Sequence, residues 1–419
     1  MIKLLHFADA HIDMANYGQH DPETGLPLRV MDFLASLDEI VQTAIDQKVD
    51  MVIFAGDAYK DRKPSPTFQR EWGKRIIKLS HAGILTLLLT GNHDISPSTG
   101  RAHSVQEFDT LEVPHVRVLS KPQFLSPADL DGLPVQVLAL PWLSRSGMMA
   151  ALELSAADPK EIYEKLGKRL NDMVENWLSE ADPTLPIILT AHASVEGASY
   201  GAERLVMLGK DLVLPPALVK DKRLDYVALG HIHKPQNLNE GAHPPVIYPG
   251  SIERVDFGEA GDKKFFILAE ISKGHSQVTW QELKNIRPFL DILVQIDSAQ
   301  DINQKIQAAI PPGDKLRGAI VRLTIQYKKE WESLIDESTL RKMAESAFEF
   351  QLNKRQQANV RGRLPEGHIG SSMPLPELMN IYWKNLYQEL DQEKIERLNQ
   401  LGKSIVDEVN GENQEGFSS

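Results

Sequence analysis

The sequence contains no cysteine among its 419 residues. Disulfide bonds, thiolate nucleophiles and thiolate zinc sites are therefore excluded, and any metal ion must be bound by His, Asp, Glu or Asn side chains. No run of about 18 consecutive apolar residues is present, so we expect no membrane-spanning helix. The first residues, MIKLLHFADAH, lack the basic region, long apolar core and small-residue cleavage site of a secretory signal, so we expect a cytoplasmic protein without membrane attachment.

Positive charge is also scarce, since 46 Lys and Arg residues stand against 58 Asp and Glu, for a formal net charge of −12. This balance argues against a protein that coats nucleic acid by bulk electrostatic attraction. It does not exclude a nuclease, which binds phosphates through divalent cations and a local basic surface. Two basic clusters occur, YKDRKPSPTFQREWGKR and NKRQQANVRGR. Each is either a solvated face, which is the commoner case, or a contact with DNA.

The length of the chain predicts two or three domains. Over the first 285 residues, short apolar runs alternate with helical patterns, which indicates a layered α/β structure. Helices are predicted at 33–47 and 158–181, the second with Asp158 as N-cap and an apolar stripe that should pack on the sheet. The predicted strands are Lys3–Ala8, Met51–Ala55, Leu85–Leu89, Val135–Leu140, Ile187–Thr190, Tyr226–Leu229, Val246–Tyr248 and Phe265–Ile271.

After residue 285 the pattern restarts, and we expect a smaller α+β domain at 286–363. Its strands lie in KNIRPFLDILVQIDS and LRGAIVRLTIQY, and its helices at 301–309 and 337–346. A Gly, Pro and Ser-rich linker at 364–374 precedes amphipathic helices within 375–410, which either fold back or dock on a partner. The tail, 411–419, is expected to be disordered.

Five apolar runs each end in residues that bind metal ions, in ADAH, AGDAYKD, TGNHD, TAHAS and LGHIH. The carboxyl ends of strands in α/β sheets form one crevice, so these residues should converge. A single one of them has an ordinary explanation, such as a capping Asp or a surface His, but the whole ordered set at strand ends does not. The predicted metal ligands are Asp9, His11, Asp57, Asn92, His192, His231 and His233.

Crowded carboxylates and imidazoles cost several kcal/mol in desolvation and repulsion unless cations compensate them. Nitrogen and oxygen donors in this number suit two divalent cations that share a carboxylate, roughly 3.5 to 4 Å apart, as in two-metal phosphoryl-transfer sites. Mixed imidazole, carboxylate and amide donors with open positions allow Mn²⁺, Fe²⁺ or Zn²⁺, and the donor types do not choose between them.

The ordered motifs Asp-x-His, Gly-Asp, Gly-Asn-His-Asp, a single strand-end His and Gly-His-x-His resemble the calcineurin-like metallophosphoesterase superfamily over most of residues 1–290. This resemblance implies a metallophosphoesterase-type β-sandwich flanked by helices at 1–285, of the α/β class, followed by a smaller α+β capping domain and C-terminal helices. The segments GDAYKDRKPSP and YPGSIERVDFGE, with the appended domain, look like SbcD-type DNA repair exonuclease subunits.

The family pattern also implies how the ligands divide between two metal ions. Asp57 would bridge them, and hydrolysis would proceed by in-line attack of metal-activated water on a phosphodiester, without a covalent intermediate. One metal would be held by Asp9, His11, Asp57 and His233, and the other by Asp57, Asn92, His192 and His231.

His93 would not be a ligand in this pattern but would face the scissile phosphate, to stabilise charge or protonate the leaving oxygen. One position departs from the family. Three residues after the bridging Asp, where relatives carry an acidic residue or His, this chain has Lys60, followed by Asp61. Lys60 is a candidate for binding DNA phosphate, together with Arg62 and Arg254.

The SbcD resemblance implies a DNA nuclease, 3′-5′ exonuclease or endonuclease or both, within a DNA repair complex. It further implies a homodimer, a capping domain that positions DNA, and C-terminal helices that bind an SbcC-type coiled-coil ATPase. Two alternatives remain, a phosphatase or phosphodiesterase for small phosphoesters and a non-catalytic scaffold with the same fold. The long C-terminal extension argues against the first alternative, and the complete ligand set with His93 argues against the second.

Overall fold

A computed structural model of the chain describes residues 1–17, 19–95, 102–143, 159–201, 213–357 and 394–404. The chain divides into two compact units. The first comprises Met1–Asp291, Pro312–Arg322 and Ser346–Phe350, and the second Ile292–Pro311, Leu323–Glu345 and Gln351–Ser419. Among the described helices, none combines the length and the apolar character that crossing a membrane requires.

Strands and helices alternate along the chain. The strands are β1 (Ile2–Phe7), β2 (Met51–Phe54), β3 (Leu85–Leu89), β4 (Val116–Leu119), β5 (Gln123–Leu125), β6 (Gln136–Leu140), β7 (Ile187–His192), β8 (Ser194–Val195), β9 (Val213–Leu214), β10 (Tyr226–Gly230), β11 (Gln236–Asn237), β12 (Val246–Tyr248), β13 (Phe265–Ser272), β14 (His275–Glu282), β15 (Phe289–Gln295), β16 (Ile320–Tyr327) and β17 (Glu349–Gln356). The helices are α1 (Leu28–Asp46), α2 (Pro66–His81), α3 (Glu107–Thr110), α4 (Pro159–Glu180), α5 (Pro216–Val219), α6 (Ile302–Ala309), α7 (Gly313–Leu316), α8 (Glu337–Met343) and α9, which spans 394–404.

Two six-stranded sheets form a sandwich in the first unit. Their strand orders are β14-β13-β1-β2-β3-β4 and β11-β12-β10-β7-β6-β5, and a short pair, β8-β9, lies apart from them. β1, β2, β3 and β4 are parallel to one another, as are β6, β7, β10 and β12, so their carboxyl ends share an edge in each sheet. Side chains from both sheets, such as Leu4 and Leu87 from one and Val137 and Ile188 from the other, form a common core.

Helices cover the outer faces of both sheets. Phe33 of α1 and Trp72 of α2 pack with Phe7 and Phe54 of the first sheet. Val174 of α4 belongs to the core on the outer face of the second sheet. The predicted architecture, an α/β sandwich of two sheets flanked by helices, is confirmed.

The eight predicted strands are all present, and their ends differ from the predictions by no more than two residues. Each is a nearly continuous apolar run, as expected for strands buried on both faces. The predicted start of the first helix at residue 33 was wrong, because α1 begins at Leu28 and already buries Arg29 and Val30 in its first turn. The helix predicted at 158–181 is α4, although Asp158, its predicted N-cap, lies outside the described residues.

The basic cluster after residue 59 contains a helix that was not predicted from the sequence. Pro66 begins α2 directly after Ser65, an arrangement suited to a helix start. Trp72 and Ile76 are buried on one face, while Arg70 and Lys74 pair with Glu71 and stay exposed. That part of the cluster is therefore a solvated helix face.

Beyond residue 285, β15, β16 and β17 form a three-stranded sheet in that order, with α6, α7 and α8 between the strands. This α+β pattern matches the predicted elements, and the predicted domain boundaries at 285 and 363 stay predictions. The linker at 364–374, the tail at 411–419 and most of the region at 375–410 lie outside the described residues, as does part of the basic cluster NKRQQANVRGR. Within the C-terminal region the structure describes α9.

Candidate metal centre and active site

The predicted ligands follow strands of both sheets and meet at one end of the sandwich. They leave β1, β2 and β3 of the first sheet and β7 and β10 of the second, at the carboxyl end of each strand. Residues from five distant parts of the chain thereby share one small volume. Six of the seven are buried, namely Asp9, His11, Asp57, His192, His231 and His233, whereas Asn92 is half-buried.

One group consists of Asp9, His11 and His233, whose ligand atoms all lie within 4.8 Å of one another. The Nε2 atoms of His11 and His233 are 3.1 Å apart. The Nδ1 atoms of the two rings lie next to acceptors, the Tyr59 carbonyl oxygen at 3.2 Å and the Glu259 carboxylate at 2.8 Å, so the ring hydrogens are on Nδ1. The two Nε2 lone pairs then face each other, an arrangement that suits a shared cation.

A second group includes Asp57 and His192, which with Asp9 also place their ligand atoms within 4.8 Å of one another. His192 Nε2 and His231 Nδ1 each lie 3.0 Å from Asn92 Oδ1. Asp57 Oδ2 is 3.4 Å from His192 Nε2 and 3.9 Å from His11 Nε2, so this carboxylate stands between the two groups. The structure therefore brings all seven predicted residues together, and the donor set fits two divalent cations.

The backbone at these positions is strained. Asp9, His11, Asp57 and His231 have φ values of 51°, 40°, 63° and 99°, in the left-handed region that residues with a Cβ rarely adopt. Such conformations persist where surrounding structure enforces them, and they concentrate at functional sites. Here hydrogen bonds between the strand ends enforce them, with Asp9 N–H donating to Gly56 O at 2.9 Å.

Two glycines of the motifs permit the close approach of the strand ends. A Cβ atom on Gly91 would collide with the Asp57 carboxylate, and one on Gly56 would collide with the His192 imidazole. Gly56 also has a φ of 99°. The Gly in Gly-Asp and in Gly-Asn-His-Asp is thus explained by space that a metal-binding side chain occupies.

Burial and mutual charge set the protonation of the group. Burial raises the pKa of Asp9 to about 6 and lowers the pKa of His11 well below its usual value. Burial alone would raise the pKa of Asp57, but neighbouring imidazoles, His192 first, hold that pKa well below its usual range. Burial would lower the pKa of His192, yet Asp57 raises it to about 9. Because metal ligation needs an ionised carboxylate and a neutral imidazole, cation binding at this group should release protons.

His93 lies next to these seven residues and lines a surface groove that borders them. Its backbone N–H donates to Asp57 Oδ1 at 2.8 Å, and its ring centroid is 5.3 Å from that of His11. Nδ1 is 2.7 Å from the carbonyl oxygen of Lys60. A carbonyl only accepts, so Nδ1 carries the hydrogen and Nε2 is the other, titrating nitrogen. Burial lowers the pKa of His93.

The groove has a volume of about 720 Å³ and is open to solvent. The backbone N–H groups of Lys60 and Asp61 both donate to the Asp13 carboxylate, which holds this turn in place. Arg62 Nε donates to Asn92 O at 3.2 Å. The groove is lined by Asp13, Lys60, Asp61, Arg62, Lys63, Pro64, Ser65, Phe68 and His93.

Arg254, the third residue predicted to bind substrate, has a different environment. Its guanidinium donates to the backbone carbonyl oxygens of Glu259, Arg287 and Asp262 at 3.2, 2.8 and 2.8 Å. It is not among the residues that line the groove. These contacts account for Arg254 as a residue that ties loop segments together.

Two buried carboxylates that were not predicted as site residues support the ligands. Asp94 accepts hydrogen bonds from the N–H groups of Asp57 and Gly91, both at 2.8 Å, and burial raises its pKa to about 7. The sequence feature that could have identified Asp94 is its position as the last residue of the motif Gly-Asn-His-Asp. Glu259 accepts from His233 Nδ1 at 2.8 Å, and no local pattern in the sequence pointed to that contact.

Comparison with known proteins agrees with this geometry. The model of the calcineurin-like phosphoesterase family matches residues 2–235. The SbcD component of the nuclease SbcCD from Escherichia coli K12 is 27% identical over 280 residues, which cover 65% of this chain and 66% of that protein, just under two thirds of its length. The corresponding SbcCD component from Rhodobacter capsulatus is 30% identical over 288 residues, covering 65% of this chain and 67% of that one.

A longer alignment joins the chain to the "Uncharacterized metallophosphoesterase YhaO" of Bacillus subtilis, which is 26% identical over 357 residues, 83% of this chain and 78% of that protein. The family match spans the strand-end motifs of the first unit, from Asp9 to His233. The chain therefore belongs to the calcineurin-like phosphoesterase family and is an SbcD-type member of it.

Proposed function

We propose that this chain is a metal-dependent nuclease that hydrolyses DNA phosphodiester bonds, as a 3′-5′ exonuclease, an endonuclease or both. The observation that supports this most directly is the convergence of seven side chains with nitrogen and oxygen donors beside His93, at the edge of an open groove. The groove carries three basic side chains, which suits an extended polyanion better than a small phosphoester. The names of the SbcCD relatives point to the same class of enzyme.

Two divalent cations, with Mn²⁺ as the first expectation and Fe²⁺ or Zn²⁺ as alternatives, would lower the pKa of a water molecule and neutralise phosphate charge when bound. The chain's own contribution is to hold the proposed ligands at short range in a buried site, where Asp57 would serve as a ligand to both ions. We assign one ion to Asp9, His11, Asp57 and His233, and the other to Asp57, Asn92, His192 and His231.

His93 contributes a proton donor that is fixed in orientation. With Nδ1–H donating to the carbonyl of Lys60, only Nε2 remains to meet the phosphate or the leaving oxygen. An approaching phosphate favours the protonated ring, whose Nε2–H then donates to the leaving oxygen. Lys60 orients His93 through its backbone, so a Lys side chain at the position where relatives carry an acid or His leaves this orientation intact.

The proposal predicts Mn²⁺-dependent loss of end label from linear duplex or single-stranded DNA. Chelator should abolish cleavage, and His93→Ala should lower kcat by about 10² to 10⁴-fold, the usual contribution of a general acid. The same samples are assayed with bis(p-nitrophenyl) phosphate. If DNA survives while this small diester is hydrolysed, the chain is a small-phosphoester enzyme, and if Mn²⁺ is bound but neither substrate is cleaved, it is a scaffold.

The groove predicts a specific defect for Lys60→Gln/Lys63→Gln. Each lost phosphate contact weakens binding of DNA, so we expect KM for an oligonucleotide to rise about tenfold or more. The slope of log KM against log salt concentration should fall by about two, one for each lost contact. The KM for bis(p-nitrophenyl) phosphate, which has a single phosphate, should change much less. Lys121→Gln/Lys222→Gln removes the same charge from exposed positions outside the groove and is the matched control. An equal effect of both variants would refute a role of the groove.

Further features of the assembly belong to the same proposal. We infer a DNA repair complex with an SbcC-type coiled-coil ATPase, which the C-terminal helices at 375–410 would bind, and a homodimer through the first unit. The cytoplasm is the proposed location. These points are supported by the resemblance to SbcD-type proteins, and co-purification of the full chain with its ATPase, with and without residues 375–419, tests the proposed contact.

A further inference from the structure

A buried ion pair lies directly behind one of the proposed metal ligands. Lys264 Nζ is 2.6 Å from Glu259 Oε2, and the two residues are only 1% and 2% exposed. The same oxygen accepts from Ser251 Oγ and from the N–H of Val255, both at 3.1 Å. The other oxygen, Oε1, accepts from His233 Nδ1 at 2.8 Å.

Stability alone does not explain this pair. Removing two charges from water is costly, and replacing a buried ion pair with apolar residues of similar size is often neutral or stabilising. The two oxygens of the Glu259 carboxylate also have different partners, since Oε2 faces Lys264 and the loop while Oε1 faces His233. An arrangement of this kind anchors one oxygen so that the other keeps a fixed position.

The consequence for His233 is a fixed tautomer and ring orientation. A carboxylate only accepts, so Nδ1 carries the hydrogen, and the lone pair of the neutral ring is on Nε2. That nitrogen is the one that lies 3.1 Å from His11 Nε2, within the group formed by Asp9, His11 and His233. Carboxylates that orient ligating imidazoles in this way commonly tune metal affinity.

We propose that Glu259 is a positioning residue that holds His233 with Nε2 toward the metal, and that Lys264 supplies the buried positive charge that the Glu259 carboxylate needs and a neutral Gln does not. The inference rests on the proposed metal centre and deepens it. It gives the segment after β12, which contains Glu259 and Lys264, a role in positioning a proposed metal ligand that follows β10.

Two double variants separate positioning from a structural role. Glu259→Gln/Lys264→Met and Glu259→Leu/Lys264→Met both remove the two buried charges together, so neither leaves one charge unpaired. Only the Gln variant retains an oxygen that accepts from His233 Nδ1. Mn²⁺ affinity and stoichiometry of the full chain are measured by isothermal titration calorimetry after chelator treatment, and thermal unfolding without metal checks that both variants fold.

We expect the parent to bind two Mn²⁺ ions and the Leu variant to lose about 10 to 100-fold in affinity at one site. The Gln variant should stay within about threefold of the parent. The inference is overturned if the Leu variant matches the parent, if both variants lose affinity equally, or if the parent binds no Mn²⁺. If the Leu variant does not fold, the Gln variant decides alone, since a large loss there contradicts positioning by a hydrogen bond.

Mn²⁺ affinity is measured independently of DNA cleavage, so the role of Glu259 and the nuclease proposal can fail separately. A parent chain that binds two Mn²⁺ ions but leaves DNA intact would contradict the nuclease proposal. The effect of the Leu variant on metal affinity would still support or overturn the role of Glu259.

Discussion

Asp57→Asn is expected to lower DNA cleavage by about 10³-fold or more and to abolish the stabilisation of the fold by Mn²⁺. Asp57 Oδ2 stands between His192 Nε2 and His11 Nε2, at 3.4 and 3.9 Å, where it would bind both ions. The amide retains an oxygen to accept from the His93 N–H but replaces the second carboxylate oxygen with NH₂, which cannot bind a cation. Both proposed sites therefore lose a ligand through a single change.

Thermal unfolding with and without Mn²⁺ measures this effect without reliance on catalysis. An ion at 100 times its Kd stabilises the native state by about 2.7 kcal/mol per site, which raises the Tm of the parent by several degrees. Asp46→Asn, at an exposed carboxylate that accepts from Gln42, is the matched control and should keep both cleavage and the Tm shift. A full Mn²⁺ shift in Asp57→Asn would show that this carboxylate does not bridge metals.

Arg29→Met is expected to lower the free energy of unfolding by about 3 to 5 kcal/mol. Arg29 is only 1% exposed on α1. Its guanidinium donates to Asp32 at 2.7 Å and to the carbonyl of Arg254 at 2.6 Å, and lies 3.8 Å from the Glu253 carboxylate. Met fills much of the space but leaves Glu253, which is fully buried, without its cation.

The free energy of unfolding that Arg29→Met removes should depend on pH. Burial raises the pKa of Glu253, an effect that Arg29 opposes, so removal of Arg29 raises that pKa further. A carboxyl group whose pKa is higher in the folded state binds a proton more readily there, and it destabilises the fold as pH rises through its folded pKa. The difference in free energy of unfolding between the parent and Arg29→Met should therefore be larger at pH 8 than at pH 5.

Urea denaturation at both pH values checks this prediction. Arg29→Met/Glu253→Gln removes both charges and should recover part of the loss, because a neutral amide costs less to bury than an unpaired carboxylate. A loss below about 1 kcal/mol in the single variant, or an equally large loss in the double variant, would contradict a charge-pairing role for Arg29.

The convergence of the site was predictable from sequence because each motif follows a recognisable strand. Asp9, Asp57 and Asn92 come after buried apolar runs, and parallel strands bring their carboxyl ends to one edge. The local strain at Asp9 and Asp57 could not be predicted from those runs. It arises from hydrogen bonds between strand ends that are far apart in the chain.

The supporting residues were beyond sequence reasoning for a related reason. Glu259 meets His233 across a separation of 26 residues, and Lys264 has no neighbour in the sequence that predicts its burial. The helix α2 was not predicted because its buried apolar residues, Trp72, Ile76 and Leu79, are spread among many charged side chains. The large number of charged residues on the exposed face of α2 therefore concealed the helical spacing of its few buried apolar residues.

The central claim, a two-metal centre bridged by Asp57, is tested most directly by anomalous diffraction from crystals of the full chain grown with Mn²⁺. Two manganese peaks are expected, one beside Asp9, His11 and His233 and the other beside Asn92, His192 and His231, with the Asp57 carboxylate between them. A single peak, or peaks that do not contact Asp57, would contradict the claim.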